Sequence, residues 1–355
     1  MKHLLKNAAA AVLAVGLAAG LGACTAPTAP ATAPATGQAA GQEAPAEAER
    51  SVVRLAHGQP IESIAHVHMA QMADFVYEQS GGMLEIQIFP ANQLGNERDL
   101  AEGMLMGTVD MTYISLGVWE NFDSRLALFS LPFIFENYDH VLAVVESDLG
   151  DELFGSMSGD FGVSYLGFVD QGFRWIWNND HPVYTLEDLG GMTLRVPESP
   201  AFISTFTLLG ANATPIPWGE LYTAMQTGVV AGFEVFPESI ISNRMYEVTR
   251  YGSKSNHIFA ASIITVRDEV LNGLPAEHQQ LLRDAVRTYS GNIRSAVIAD
   301  EQALIEQATA NGMIINDISP EVMAQFAAAV EPLYEEYAER LGGMEIIERA
   351  RNTPF

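Results

Sequence analysis

LGGMTLRVPESPAFISTFTLLGANATPIPWGELYTAMQTGVVAGFEVFPES, residues 189–239, decides the fold. Met192, Leu194 and Val196 alternate with Thr193 and Arg195, the two-residue period of a strand. Pro197 ends it, Ser199 stands where a helix N-cap belongs, and Pro200 takes the first helical position. Phe202, Thr205, Phe206 and Leu209 follow at helical spacing until Gly210. Trp218, Leu221, Tyr222 and Met225 mark a second helical face, closed by Gly228, and GFEVF returns to a strand. In open α/β sheets ligands gather beyond the carboxyl ends of the strands. Arg195 lies at such an end, where a guanidinium can hold a carboxylate through two parallel hydrogen bonds.

The same alternation extends upstream. SVVRLAHG (51–58) reads as a strand ending at His57 and Gly58, and Ile61, Ile64, Ala65, His68, Met72, Phe75 and Val76 trace one helical face. LEIQIFP (84–90) and VDMTYIS (109–115) are strands around a helix from about Asn96 to Met106. After the Phe- and Pro-rich loop 128–135, the spacing predicts one helix over 138–154 and a strand over 161–170, and so a mainly parallel sheet. GFRWIWNN (172–179) opens a second α/β unit, as a strand with Phe173, Trp175 and Trp177 on one face and Arg174 on the other. HIFAASIITV (257–266) is apolar enough to be a buried strand. From Pro275 to about Ala310 a single helical pattern runs longer than either lobe is wide, at about 1.5 Å per residue, so it is expected to span both. A last helix is expected over 319–341. The expected organisation is a first lobe of 51–171 plus about 257–275, a second lobe of 172–256, the long helix at 276–311 and C-terminal helices in 312–355.

Residues 1–23 have a targeting pattern: Lys2 and Lys6, an apolar run from Ala8 to Leu21, then Leu21-Gly22-Ala23-Cys24. Small residues before a cysteine resemble the lipobox of bacterial lipoproteins, which makes Cys24 a lipidation site. It is also the only cysteine, which rules out a disulfide within the chain. Residues 24–50, rich in Ala, Pro and Thr, cannot form a core and read as a tether. The 18 basic residues face 44 acidic ones, and loss of Lys2 and Lys6 with the leader leaves a charge of −28. Such a balance argues against nucleic acid as a partner and against a polybasic membrane patch. The remaining membrane contact is the lipid anchor.

Catalytic signatures are scarce. Residues 155–159 read GSMSG, with Met157 where a nucleophile elbow needs serine, and no Walker loop, GxGxxG or HExxH occurs. His66 and His68, two apart on a helix, face different ways and do not make a metal pair. Neither a metal nor a cofactor is expected. Binding signatures are better. Arg174 and Arg195 sit on strands among apolar neighbours, where an unpaired buried charge is costly, so each is either a ligand anchor or one half of an internal ion pair. Glu234 is the acid that could pair with an arginine or accept hydroxyls from a ligand. Trp218 could cover a ligand or belong to the core, and His57, at a strand end, could line a pocket.

GFRWIWNNDHPVYTLEDLGGMTLRVPESPAF and LGANATPIPWGELYTAMQTGVVAGFE resemble the substrate-binding proteins of TRAP transporters, as do FPANQLGNERDLAEGMLMGTVDMTYIS, SLPFIF and SNRMYEV. The resemblance covers roughly 51–340. It implies an α/β two-lobe fold of the type II periplasmic-binding-protein kind, with hinge strands, a long helix crossing both lobes, and no catalysis. The implied partners are a small organic acid and the subunits of a membrane permease. By position, Arg195 in LRVP resembles the arginine that clamps the ligand carboxylate, Arg174 a second arginine, and Trp218 an aromatic that covers the ligand. Val235 stands where many members have asparagine, and Glu97 and Ser115 match positions on the first-lobe wall. Two other readings stay open at this point: a secreted lipoprotein enzyme acting on acidic sugars, and the binding lipoprotein of an ATP-driven importer.

Overall fold

The computed structural model describes residues 50–355. The leader, Cys24 and the tether as far as Glu49 lie outside them. The first strands and helices alternate: β1 (Ser51–His57), α1 (Ile64–Gln79), β2 (Leu84–Phe89), α2 (Glu97–Leu105), β3 (Met111–Ser115) and the single turn α3 (Leu116–Trp119). Next come α4 (Tyr138–Val145), α5 (Asp148–Phe161), β4 (Val163–Phe173) and β5 (Trp175–Asn178). The second unit follows as β6 (Thr193–Val196), α6 (Pro200–Leu208), β7 (Asn212–Pro215), α7 (Leu221–Gln226), β8 (Gly232–Val235), α8 (Glu238–Ser242) and β9 (Tyr251–Lys254). The chain returns through β10 (Phe259–Arg267) and α9 (Asp268–Gly273). It closes with α10 (Ala276–Ala310), β11 (Ile314–Asp317), α11 (Pro320–Val330), α12 (Pro332–Leu341) and α13 (Met344–Arg351).

Two sheets result, ordered β2-β1-β3-β10-β4 and β11-β9-β5-β8-β6-β7. The strand alternation sends side chains to two cores per sheet. In the first sheet Leu55, Tyr113, Val169 and Ile264 face α1 and α10, while Ala56, Ile114, Phe168 and Ile263 face α5, α12 and α13. In the second, Trp175, Trp177 and Phe233 face α7 and α8, while Ile176, Leu194 and Val196 face α6 and α11. Each sheet is therefore covered on both sides, as βα crossovers require.

The sheets are mixed rather than mainly parallel. β1, β2 and β3 are parallel, as are β6, β7 and β8, but β10 runs antiparallel to β3 and β4, and β5 antiparallel to β8 and β9. The antiparallel strands are those that pass between sheets. β4 gives way to β5 at Arg174, and β9 returns to β10 alongside: Phe173 pairs with Phe259, and Arg174 N–H donates to Ile258 O at 2.9 Å. The strand expected over 172–179 is thus cut at Arg174. Phe173 packs edge-on against Phe259 in the first lobe, while Trp175 stacks on Trp177 in the second. α10 carries Leu282, Val286, Ile293 and Val297 in a core of the first sheet and Ala308 in a core of the second.

Two long helices of the sequence reading are each two. The helix expected over 138–154 breaks at Ser147, whose hydroxyl accepts from Leu149 N–H and starts α5. The one expected over 319–341 breaks before Pro332, which has no N–H to continue the ladder. The Phe- and Pro-rich loop is core: Leu128, Phe129, Leu131 and Ile134 are buried. Among the described residues no helix is long and apolar enough to cross a membrane.

Candidate functional site

The strands reach the cleft by their carboxyl ends, the helices α2 and α8 by their amino ends, and the crossing segment adds the rest. From the first sheet come Gln59 just after β1, Glu97 at the start of α2 and Ser115 at the end of β3. From the second come Arg195 and Pro197 at the end of β6, Trp218 after β7, Val235 and Phe236 at the end of β8, and Ser239 at the start of α8. Gln171 and Arg174 arrive from the crossing at the end of β4. Together they enclose about 40 Å³ open to the centres of water-sized spheres.

Arg195 is 3% exposed. Its Nε donates to Ile216 O at 2.8 Å and its guanidinium lies over the Trp218 ring, 5.6 Å from the centroid. Burial, reinforced by the like charge of Arg174, lowers its pKa to about 10, while Glu234 and Glu97 oppose the shift. Among the described residues no carboxylate forms an ion pair with it. Its two terminal nitrogens are left for whatever enters the cavity.

Arg174 is different. It grips Glu234, with Nε on one carboxylate oxygen, and with one terminal nitrogen, Nη2, 2.8 Å from the other and 2.9 Å from the Glu234 carbonyl. Its guanidinium also lies over Phe202 at 5.0 Å. Burial works to raise the Glu234 carboxyl, but the charge of Arg174 and the approach of His257 outweigh it and leave its pKa below the usual range. Glu234 is fully buried behind the wall, so it neutralises Arg174 rather than meeting a ligand. Glu97 accepts from Ser115 N–H at 3.2 Å and from Ser115 Oγ at 3.0 Å. Burial raises its pKa despite those bonds and the two arginines.

His57 is set back from the cavity. Its Nδ1 accepts from Gln59 N–H at 3.1 Å, which leaves its Nε2–H to donate to His66 Nδ1 at 3.1 Å. Burial lowers its pKa to about 3, so the ring is neutral. Its effect on the site is indirect, through the backbone of Gln59. Val235 faces the cavity with a methyl surface where an amide would bond. Gln59, Gln171, Pro197, Phe236 and Ser239 line the cavity without having been singled out in the sequence. Their signal is position: Gln59, Pro197 and Phe236 come just after strands, Gln171 lies in the crossing, and Ser239 opens the helix that follows β8.

Two sheets, crossing strands and a cavity walled from both by strand ends define a two-lobe solute-binding protein. Residues 55–340 match the family of bacterial extracellular solute-binding proteins, family 7, and the chain belongs to that family. It is similar to a TRAP periplasmic solute-binding protein from Xanthobacter autotrophicus Py2 with bound β-D-galacturonate (30% identity, TM-score 0.79, 85% of this chain and 100% of that one). It is also similar to the sugar acid binding protein of Advenella mimigardefordensis in complex with galactonate (25% identity, TM-score 0.83, 86% and 98%). The C4-dicarboxylate-binding periplasmic protein of Rhodobacter capsulatus is 26% identical over 84% of this chain and 90% of its own length. These relatives are receptors, not enzymes, and proteins of the family are periplasmic.

Proposed function

We propose that this protein is the receptor of a TRAP-type transporter, that it holds a small organic acid by its carboxylate on Arg195, and that it hands the acid to a membrane permease. The observation that carries this reading is the contrast between the two arginines: Arg174 is neutralised by Glu234, while Arg195 faces the cavity with both terminal nitrogens unbonded among the described residues. A carboxylate arriving there replaces water with two charge-assisted bonds, and apposition of the lobes excludes solvent and strengthens them. The ligand thus favours the closed arrangement, a hinge-type population shift. Trp218 covers the guanidinium, and Glu234, held under Arg174, keeps the wall rigid. In this reading the leader is removed, and Cys24 carries the lipid that tethers the body outside the cytoplasm.

Thermal unfolding of the purified chain with organic acids tests the clamp. A binding acid raises Tm in the wild type. Arg195→Ala and Arg195→Lys keep the unliganded Tm within a few degrees but lose the ligand shift, since truncating one partner of a buried charge pair costs about 2–5 kcal/mol of binding and lysine cannot reproduce the fork. An unchanged ligand shift in either variant would refute the clamp.

A further inference from the structure

We propose that the cavity selects a monocarboxylate carrying hydroxyl groups on the carbons remote from its acid, and that Glu97 is the residue that turns away a second carboxylate. The inference rests on reading Arg195 as the clamp and adds what the rest of the wall can accept.

Among the described residues the cavity offers one available positive charge, that of Arg195. Arg174 lines it too, but Glu234 takes its Nε and one terminal nitrogen and cancels its charge. Once Arg195 holds one carboxylate, a second finds no cation. It finds Glu97, an acid already accepting two bonds from Ser115 and with acceptor capacity left over. The neighbouring groups are also short of donors. Among the described residues Gln59 Oε1 is buried without a partner, as is the Ser239 hydroxyl oxygen, and both residues line the cavity. Gln171 Oε1 already accepts from Ser262 Oγ at 2.8 Å, which leaves its amide nitrogen to donate. A ligand hydroxyl donates to Glu97 or Gln59 and accepts from Ser239 or the Gln171 amide. A carboxylate only accepts, and brings like charge against Glu97. Pro197, Val235 and Phe236 add apolar surface for a carbon skeleton, and Val235 contributes no further donor to an acid group.

Titration calorimetry on the purified chain, wild type and variants, decides this. The probes are galactonate, D-glucuronate and D-erythronate, with hexanoate as a carboxylate without hydroxyls, and galactarate and succinate as dicarboxylates with and without them. At least one hydroxylated monocarboxylate should bind on the order of 100-fold more tightly than hexanoate, because a site built around hydroxyl bonds rejects the analogue lacking them. Galactonate should exceed galactarate, which has the same internal hydroxyls, by a similar factor. In Glu97→Gln, that ratio should fall at least tenfold. Dicarboxylates matching galactonate in the wild type, or hexanoate matching it, would overturn the inference. If Arg195→Ala still abolished all binding, the clamp would survive. An unchanged galactonate-to-galactarate ratio in a folded Glu97→Gln would remove Glu97 from its role. If no acid bound, or Arg195→Ala bound normally, clamp and selectivity would fall together. The wild-type panel settles the ligand class even if the variant does not fold.

Discussion

Arg174 and Arg195 have the same chemistry and similar apolar surroundings in sequence, and one carboxylate separates their roles. That carboxylate, Glu234, comes from a strand sixty positions beyond Arg174, so local sequence could name the candidates but not assign the pair. Alternation was enough to place Arg195 at a strand end. The side chains of Gln59 and Ser239 were silent, because an amide and a hydroxyl are common on any surface and only burial makes them informative. His57 shows the reverse error: a histidine at a strand end suggests a pocket, yet its two nitrogens are spent on Gln59 and His66. This has a measurable consequence. The folded protein holds His57 neutral, with its pKa near 3 against 6.5 for the free side chain. The unfolded chain therefore binds the extra proton as pH falls through 6.5, and stability is lost on the acid side. The loss attributable to this ring is roughly 2–3 kcal/mol between pH 7 and 4.5. Asp170, raised by burial to about 6, works in the opposite direction, so the comparison must be between wild type and His57→Asn. Urea unfolding at the two pH values should show a smaller acid loss in the variant. Equal losses would mean that the ring is already charged in the folded state.

Elements were easiest to read where one period ran unbroken between clear breakers, as at β6–α6 and along α10. The periodicity misleads where a break is local. Ser147 starts a new helix without glycine or proline to announce it, and Pro332 follows Glu331 with no intervening loop, because proline at the first turn is compatible with a fresh helix. The crossing at Arg174 was invisible because both of its halves are apolar strands. What holds the second half in place is a cross-strand device. Trp177 on β5 stands opposite Gly252 on β9, and a Cβ on Gly252 would collide with the six-membered part of the indole ring. Trp177 is fully buried and stacked on Trp175, and its Nε1–H donates to Val235 O at 2.8 Å, so the ring cannot step aside freely. Gly252→Ala is therefore expected to destabilise the protein by about 1–3 kcal/mol through overpacking. Because Val235 lies on the cavity, it should also weaken acid binding beyond what the lost stability explains. A wild-type urea midpoint in the variant would show that the strand shifts without cost.

At the scale of the molecule, two helices that point their N-termini across the cleft lack acids of their own. α1 and α6 have serine N-caps, Ser63 and Ser199, and no acidic residue in the first turn. Each takes one from the opposite lobe. Glu238, next to the cavity residue Ser239, accepts from Ile64 N–H at 3.3 Å, and Glu120 accepts from Ala201 N–H at 2.9 Å. At the rim, a Cβ on Gly219 would come within 2.8 Å of the Asn92 side-chain nitrogen and 2.7 Å of the Asn96 side-chain oxygen, so a side chain there must push two first-lobe amides aside as the Trp218 turn comes down. Gly219→Val should accordingly weaken acid binding, by a few-fold rather than abolishing it, while leaving Tm without ligand unchanged, and unaltered affinity would show that the turn is not a closing contact. The reciprocal acids give closure a pH dependence with a definite sign. With the lobes apposed, burial raises Glu238 to about 7, against 4.5 for a solvated glutamate, with the Ile64 bond opposing the shift. Glu62 and Arg244 border it on the cleft side, and Asp300 on α10. Between those two values the apposed form holds a proton that the open form lacks, so closing takes one up and binding strengthens as pH falls from about 7 towards 4.5. At pH 6 the uptake by this group is close to one proton, and affinity changes by up to about tenfold per pH unit. Calorimetry with galactonate in buffers of different ionisation enthalpy measures the uptake directly. Glu238→Gln keeps an acceptor for Ile64 N–H but cannot titrate. It should lose most of the uptake, flatten the pH profile, and bind more tightly than the wild type at pH 8, where the wild type must bury a charge to close. A variant that still took up the full proton would place the titrating group elsewhere, with Glu120 and Glu97, both also raised by burial, the next to substitute.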